Sequence, residues 1–398
     1  MGQDRIHRED RLGKTVFKLS RRDFCRVASA TGGLIAGGGL GAATDALAGV
    51  GNALVLQPAT KLAQVEARYY EKLEHNEVVC HICPRECRIG DMERGYCGTR
   101  ENRGGVYYTL VYGLPCAVHV DPIEKKPLFH FLPGKDAFSI GTAGCNVNCK
   151  FCQNWDISQF RPEQTRNIDL PPDKVVAYAQ ESNAPVIAYT YSEPVIFFEY
   201  MYDAAKLGRA SGLRSVMITG GHIKHDPLVE VCGQLDAIKV DLKAFSEKYY
   251  QDIVHGELKP VLETLVTIKK QGLWEEIVYL VVPTLNDSER EFKALCAWIM
   301  TNLGPDVPIH FTRFHPMYLL KNLPPTPIST LETAADIAGA AGLKYVYIGN
   351  VPGHRRENTI CGSCGKLVIG RHGFYIKEMR LRNGNCEYCG KPVPGVWA

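Results

Sequence analysis

The sequence predicts an α/β fold: a partial or complete (β/α) barrel flanked by two small cysteine-rich metal modules. Three observations predict it. From Ala137 to about Asn350, short apolar runs alternate with longer amphipathic stretches, the pattern of parallel strands joined by helical crossovers. Most of the fifteen cysteines fall into three clusters with CxxC and CxxxC spacings, which suit metal thiolates better than a disulfide framework. One cluster lies at the start of the alternating region and the other two bracket it. A chain of 398 residues, 45% hydrophobic and 22% charged, is long enough for a sizeable core and roughly two domains. A net charge of +3, with no basic run downstream of the N-terminus, predicts no nucleic-acid partner and leaves the substrate's charge open.

Residues 1–48 read as an address. Ser20-Arg21-Arg22-Asp23-Phe24-Cys25-Arg26 precedes a Gly/Ala-rich stretch that ends in Ala46-Leu47-Ala48, a pattern like a twin-arginine export signal. The stretch is too short and too rich in glycine to form a stable membrane span. Export would suit a chain that folds around its cofactors first, whereas the chemistry read below draws on cytoplasmic supplies, so localisation stays open between the two. Residues 49–79 read as a linker followed by a charged helix near Gln64–His75, and 80–134 as an N-terminal Cys-rich module with short strands such as Val106–Tyr112.

The barrel is assigned to 135–350. Its predicted strands are Phe138–Gly141, Val186–Tyr189, Ser215–Ile218, Ala237–Val240, Ile277–Val282, Ile309–Arg313 and Tyr345–Ile348. Its predicted helices are Lys174–Gln180, Val195–Ser211, Pro227–Gly233, Pro260–Gln271, Glu289–Leu303 and Leu331–Ala341. In such folds the chemistry sits beyond the C-terminal ends of the strands. Residues 351–398 form a zinc-ribbon-like C-terminal module.

Cys145, Cys149 and Cys152 follow the first strand in a CxxxCxxC loop, FSIGTAGCNVNCKFCQNW. Three thiolates can hold a 4Fe-4S cluster and leave its fourth iron to an external ligand. That vacancy suits chelation of the amino and carboxylate groups of S-adenosylmethionine (SAM), whose sulfonium then accepts an electron and yields a 5′-deoxyadenosyl radical. Gly144 allows a tight approach, and Phe151 is positioned to pack against adenine. Zinc held by these three cysteines and a remote ligand fits less well, because the other two sets complete themselves.

The loop, together with DPIEKKPLFHFLPG (121–134), IAYTYSEPVIFFEY (187–200), DAIKVDLKAF (236–245), VVPTLNDS (281–288), HFTRFHP (310–316) and YVYIGN (345–350), resembles the radical SAM superfamily in its pyruvate formate-lyase-activating-enzyme-like branch. More narrowly it is similar to the radical enzyme of the AmmeMemoRadiSam system. The resemblance implies a radical SAM barrel and a glycyl-radical-enzyme-activating-like oxidoreductase. It places Tyr191-Ser192-Glu193-Pro194 where a GGEP-like element meets the methionine ammonium. Glu193 suits that task on chemistry alone, as a carboxylate facing a cation, and it also suits a helix N-terminus followed by Pro194. Asp241 and Lys243 match a DLK element near the substrate, or form a strand-end ion pair. Asn286 could meet ribose hydroxyls, Asp287 is read as a helix cap, and His310 as a core histidine. Thr219-Gly220-Gly221-His222 departs from the family's usual turn.

Cys361, Cys364, Cys386 and Cys389 make two CxxC knuckles, a complete tetrahedral set for structural zinc, with a rubredoxin-like iron as the alternative. Cys80, Cys83, Cys87 and Cys97 could hold zinc, with His81 as a spare ligand, or a second cluster. Implied partners are an electron donor such as flavodoxin or ferredoxin and a protein substrate, a glycyl-radical enzyme or another. The alternatives are a small-molecule radical target and, in a different class, a non-catalytic metal-binding or electron-transfer protein.

Overall fold

Eight strands make the central sheet of the computed structural model, which describes residues 56–398. The twin-arginine-like segment lies outside the described residues. Ahead of the sheet come six short strands: β1 (Val65–Glu66), β2 (Tyr70–Lys72), β3 (Val78–Cys80), β4 (Arg88–Ile89), β5 (Arg100–Arg103) and β6 (Val106–Thr109). They form two antiparallel sheets ordered β1-β6-β5 and β2-β3-β4. The charged helix expected near Gln64–His75 is therefore not formed. β1, β2 and a single 3-10 turn, Glu74–Asn76, occupy that stretch. Tyr69, His75 and Asn76 there have positive φ, which breaks any helix, and cross-strand pairing outweighs the local propensity.

The central sheet contains β7 (Ala117–Pro122), β8 (Asp136–Gly141), β9 (Val186–Tyr189), β10 (Arg214–Thr219), β11 (Ala237–Asp241), β12 (Trp274–Val281), β13 (Ile309–Arg313) and β14 (Val346–Gly349). Their spatial order is their chain order, and all neighbours run parallel except β7, which pairs antiparallel with β8. β7 and β14 remain edges, so this is a partial barrel. Helices Pro172–Glu181, Phe198–Ala210, His225–Cys232, Leu258–Lys270, Glu289–Asn302 and Ile328–Ala340 make the crossovers. Both sheet faces are covered, and β9 is buried at all four residues, as parallel strands require.

Period-two alternation assigns the faces. Ile187, Tyr189, Met217, Ile238 and Val240 join the large core cluster that includes the helices, while Val186, Ala188, Val216, Ile218 and Ala237 pack with Ile123, Leu128, Phe131 and Leu132. The segment between β7 and β8 thus fills one side of the sheet, which leaves the strand ends for chemistry.

After β14 come β15 (Thr359–Ile360), β16 (Leu367–His372), β17 (Tyr375–Met379), β18 (Leu381–Arg382) and β19 (Asn385–Cys386), in one three-stranded and one two-stranded sheet. Cys361, Val368, Ile369 and Cys386 pack against Tyr345 and Tyr347 beside or on β14. A buried polar chain adds direction to this contact. The Nδ1 of His130 lies 2.6 Å from the Pro394 carbonyl, so it carries the proton, and Nε2 accepts from the Tyr347 hydroxyl at 2.6 Å. Arg371 donates to Thr359 Oγ1 at 2.7 Å and to the Phe129 carbonyl at 2.7 Å. His310 pairs with Glu276 at 2.7 Å, and Glu276 also accepts from the backbone N–H groups of Phe129 and His130. His310 is thus a hydrogen-bonded core residue.

Candidate active site

The CxxxCxxC loop leaves β8 at the C-terminal end of the sheet and is fixed largely through its backbone. Gly144 donates its N–H to Ile157 at 2.9 Å, while Asn148 and Lys150 donate to Val254 and Ile253, both at 3.0 Å. The last two partners belong to a π-helical turn, Tyr250–Val254, that follows β11. Gly144 has φ +88°, and a Cβ there would lie 2.5 Å from the Thr99 methyl and 2.6 Å from the Cys97 carbonyl oxygen. Only glycine allows the loop to press so closely on the N-terminal module.

Cys149 is buried, and Cys145 and Cys152 are half-buried. Burial pushes the Cys149 thiol up to about 12, against the pull of the nearby Lys243 ammonium. The Cys145 thiol is also pushed well up, by burial first and by the Glu193 carboxylate second. Burial raises the Cys152 thiol as well, so a metal binding to the three thiols must displace protons. Cys152 Sγ lies 3.2 Å from Ser158 Oγ.

Glu193 caps the 3-10 turn Pro194–Phe197, accepting from Val195 N–H at 3.3 Å. The same carboxylate accepts from Thr219 Oγ1 at 2.6 Å and Gly220 N–H at 2.8 Å. The turn after β10, which looked anomalous in sequence, is what aims Glu193. A Cβ on Gly220 would sit 3.3 Å from the Glu193 carboxylate. Burial raises the Glu193 pKa, opposed by these hydrogen bonds and by Lys243.

Asp241 ends β11 between two lysines, in contact with Lys239 Nζ and 3.1 Å from Lys243 Nζ. Burial disfavours its charge, yet the two lysines outweigh that and hold its carboxyl down at about 2. Sequence reasoning passed over Lys239, whose signal was a charge inside an otherwise apolar strand. Lys243 Nζ also lies 5.9 Å from the Phe151 ring centroid, and Phe151 packs against Tyr249 at 6.2 Å. A second unforeseen network joins Asp121, Lys126 and Tyr191: Asp121 accepts from both other side chains at 2.6 Å.

The structure bears on two further expectations, for Asn286 and for the cap of the helix after β12. Asn286 is fully buried and its amide is spent on backbone, with Nδ2 donating to Lys243 and Leu280 carbonyls at 2.8 and 2.9 Å and Oδ1 accepting from Val282 N–H at 2.6 Å. It braces the strand-end loops, with both Nδ2 protons committed to backbone carbonyls. The cap of helix Glu289–Asn302 is Ser288, whose Oγ accepts from Glu291 N–H at 3.3 Å, and not Asp287.

The donor chemistry fits an iron-sulfur cluster with one open iron. Three thiols share one loop, a buried carboxylate lies in the field of Cys145, and Asn146 Oδ1 and Ser192 Oγ are buried beside them without hydrogen-bond partners, capacity that a polar ligand would satisfy. The C-terminal cysteines differ. Their four sulfurs lie within 4.8 Å of one another, and the Cys361–Cys389 and Cys364–Cys386 pairs are each 3.8 Å apart. A tetrahedron with metal–sulfur bonds of ~2.3 Å has edges of about 3.8 Å. His81 turns outward to Glu71 and Glu86, each at 3.4 Å.

Residues 139–296, from β8 into the helix after β12, match the Radical SAM superfamily. An uncharacterised protein of Methanocaldococcus jannaschii is 46% identical over 330 residues, which cover 82% of this chain and 98% of that one. The pyruvate formate-lyase-activating enzyme of Clostridium pasteurianum is 21% identical over 181 residues, 45% of this chain and 75% of its own. A radical SAM methyltransferase of known structure from Sphaerobacter thermophilus aligns over 60% of this chain and 71% of its own, with 16% identity and a TM-score of 0.44. No described helix is long and apolar enough to cross a membrane. With its partial barrel and its three-cysteine loop at the strand ends, the chain belongs to the radical SAM superfamily.

Proposed function

We propose that Cys145, Cys149 and Cys152 hold a 4Fe-4S cluster, that SAM binds at the open iron, and that the chain cleaves SAM reductively to start radical chemistry on a partner protein. When bound, the cluster would supply the one electron that reductive cleavage of the SAM sulfonium needs, with methionine and a 5′-deoxyadenosyl radical as the products available for hydrogen abstraction. One observation carries this reading: a loop one thiol short of a complete set stands at the end of β8, with the Glu193 carboxylate in its field.

In this reading the chain's own groups bind and orient. Glu193, held by Thr219 and Gly220, takes the methionine ammonium in a charge-assisted hydrogen bond. Phe151 offers a flat apolar face to adenine. Lys243, tethered to Asp241, keeps a positive charge beside Cys149 and lowers the cost of gathering thiolates there. Asn286 fixes the Lys243 backbone from behind. Cys361, Cys364, Cys386 and Cys389 hold structural zinc, a reading supported by sulfur spacings of zinc-tetrahedron size. Likeness to the activating enzyme of C. pasteurianum supports a protein target, such as a glycyl-radical enzyme, and the electron would come from a donor of the ferredoxin or flavodoxin class.

The test is product formation. Anaerobically reconstituted protein, reduced with dithionite in the presence of SAM, should form 5′-deoxyadenosine, and Cys149→Ala should form none. If fully iron-loaded wild-type protein forms none, the non-catalytic electron-transfer reading replaces this one.

A further inference from the structure

The N-terminal cysteines do not share the geometry of the C-terminal ones. Among the described residues, the set of potential ligands gathered within 4.8 Å is Cys361, Cys364, Cys386 and Cys389, and the sulfurs of Cys80, Cys83, Cys87 and Cys97 are not drawn together in that way. They line one partly enclosed pocket instead. The four approach it from three places: Cys80 ends β3, Cys83 and Cys87 lie on the turn into β4, and Cys97 precedes β5. The turn is held by Cys80 N–H donating to the Cys87 carbonyl at 2.9 Å.

We propose that Cys80, Cys83, Cys87 and Cys97 hold a second 4Fe-4S cluster, fully ligated by protein, next to the central site. A single zinc ion needs its four sulfurs about 3.8 Å apart, whereas a cubane places four irons and four sulfides between its thiolates and requires a cage. The four cysteines stand around one pocket without being gathered to zinc distance, the arrangement such a cage requires. Its remaining wall includes the apolar side chains of Val195 and Ile196 and the fully buried Arg100. Arg100 suits the dianion formed by a cluster with four thiolates, and Glu199, its bidentate partner at 3.0 and 2.6 Å, holds the guanidinium in place. Thr99 Oγ1 donates to Cys97 Sγ at 3.3 Å, a contact of the kind that tunes cluster potential. With all four irons ligated, this cluster has no position for SAM, so its chemistry is electron transfer.

Its location says where the electron goes. Cys97 presses on Gly144, the residue before Cys145, and Asn146 lines the cavity itself. Arg85, between Cys83 and Cys87, donates to the Asn146 carbonyl. On the outer side Tyr96 is 49% exposed and Cys87 is half-buried, so a donor protein can approach. One electron from a ferredoxin- or flavodoxin-class donor reduces this cluster, which is reoxidised as it reduces the central one, and no bond is made or broken. This relay role rests on the function proposed above, whereas the metal assignment does not.

The test is metal analysis with electron paramagnetic resonance on the anaerobically purified full chain. Wild-type protein should carry about eight irons and one zinc, with two reduced-cluster signals of which SAM shifts one. Cys149→Ala should keep the signal that SAM leaves unchanged, and Cys83→Ala should keep the one that SAM shifts. Wild-type protein with about four irons and two zincs would overturn the proposal, and that measurement does not depend on any variant folding. Eight irons without 5′-deoxyadenosine would instead sink the function and leave the second cluster standing.

Discussion

Glu193 shows how one side chain is set by three elements. It caps the turn after β9, accepts from the turn after β10, and lies within the field of the cysteine loop after β8. Glu193→Gln keeps the shape but loses the charge, so the KM for SAM should rise about tenfold, the ~1.4 kcal/mol expected for one charge-assisted hydrogen bond, with a smaller change in kcat. An unchanged KM in steady-state kinetics would remove Glu193 from the binding site. Glu275 carries a different signature. Both of its carboxylate oxygens are buried without a partner, and burial raises its pKa from 4.5 to about 8, opposed only in part by Lys269. The folded state keeps this proton up to about pH 8, while the unfolded chain loses it near 4.5. Stability should therefore fall as pH rises between those values. Glu275→Gln should flatten that dependence and be more stable than wild type at pH 9, by on the order of a few kcal/mol. Anaerobic urea unfolding at pH 6 and pH 9 measures it.

At the scale of elements, the barrel was legible because its strands are short, apolar and separated by helical stretches, and β9 and β13 begin and end where the pattern puts them. The N-terminal strands were not. β1 and β2 have two and three residues, too few to show a period, and the positive φ of Tyr69, His75 and Asn76 has no glycine to announce it. Asn286 and Ser288 illustrate the same limit within the site, since the choice between a ligand contact, a brace and a cap depends on which carbonyls the fold brings near. The C-terminal strands gain their fixed geometry from four sulfurs and from packing against Tyr345 and Tyr347. Cys361→Ala should release about one zinc per chain and lower the melting temperature by about 3–6 °C, since it loosens the core contact as well as the metal. Retention of zinc and of the melting point would show that these cysteines are not its ligands.

Across the whole molecule, three cysteine sets divide the work by geometry. The C-terminal set is tight, and the N-terminal set surrounds a cavity. The central set has three members on one loop, and the N-terminal module locks against it through Gly144 and the buried Arg100–Glu199 pair. That lock sits at one end of a partial barrel whose interior is filled by the segment between β7 and β8, so the strand ends are left to hold a cofactor. The central claim is that an iron at Cys145, Cys149 and Cys152 is open and is taken by SAM. Electron-nuclear double resonance on the reduced wild-type protein, with SAM labelled with nitrogen-15 at its amino group, tests this most directly. A nitrogen-15 coupling to the cluster is the predicted result. A fully assembled cluster that shows no coupling at saturating SAM would contradict it.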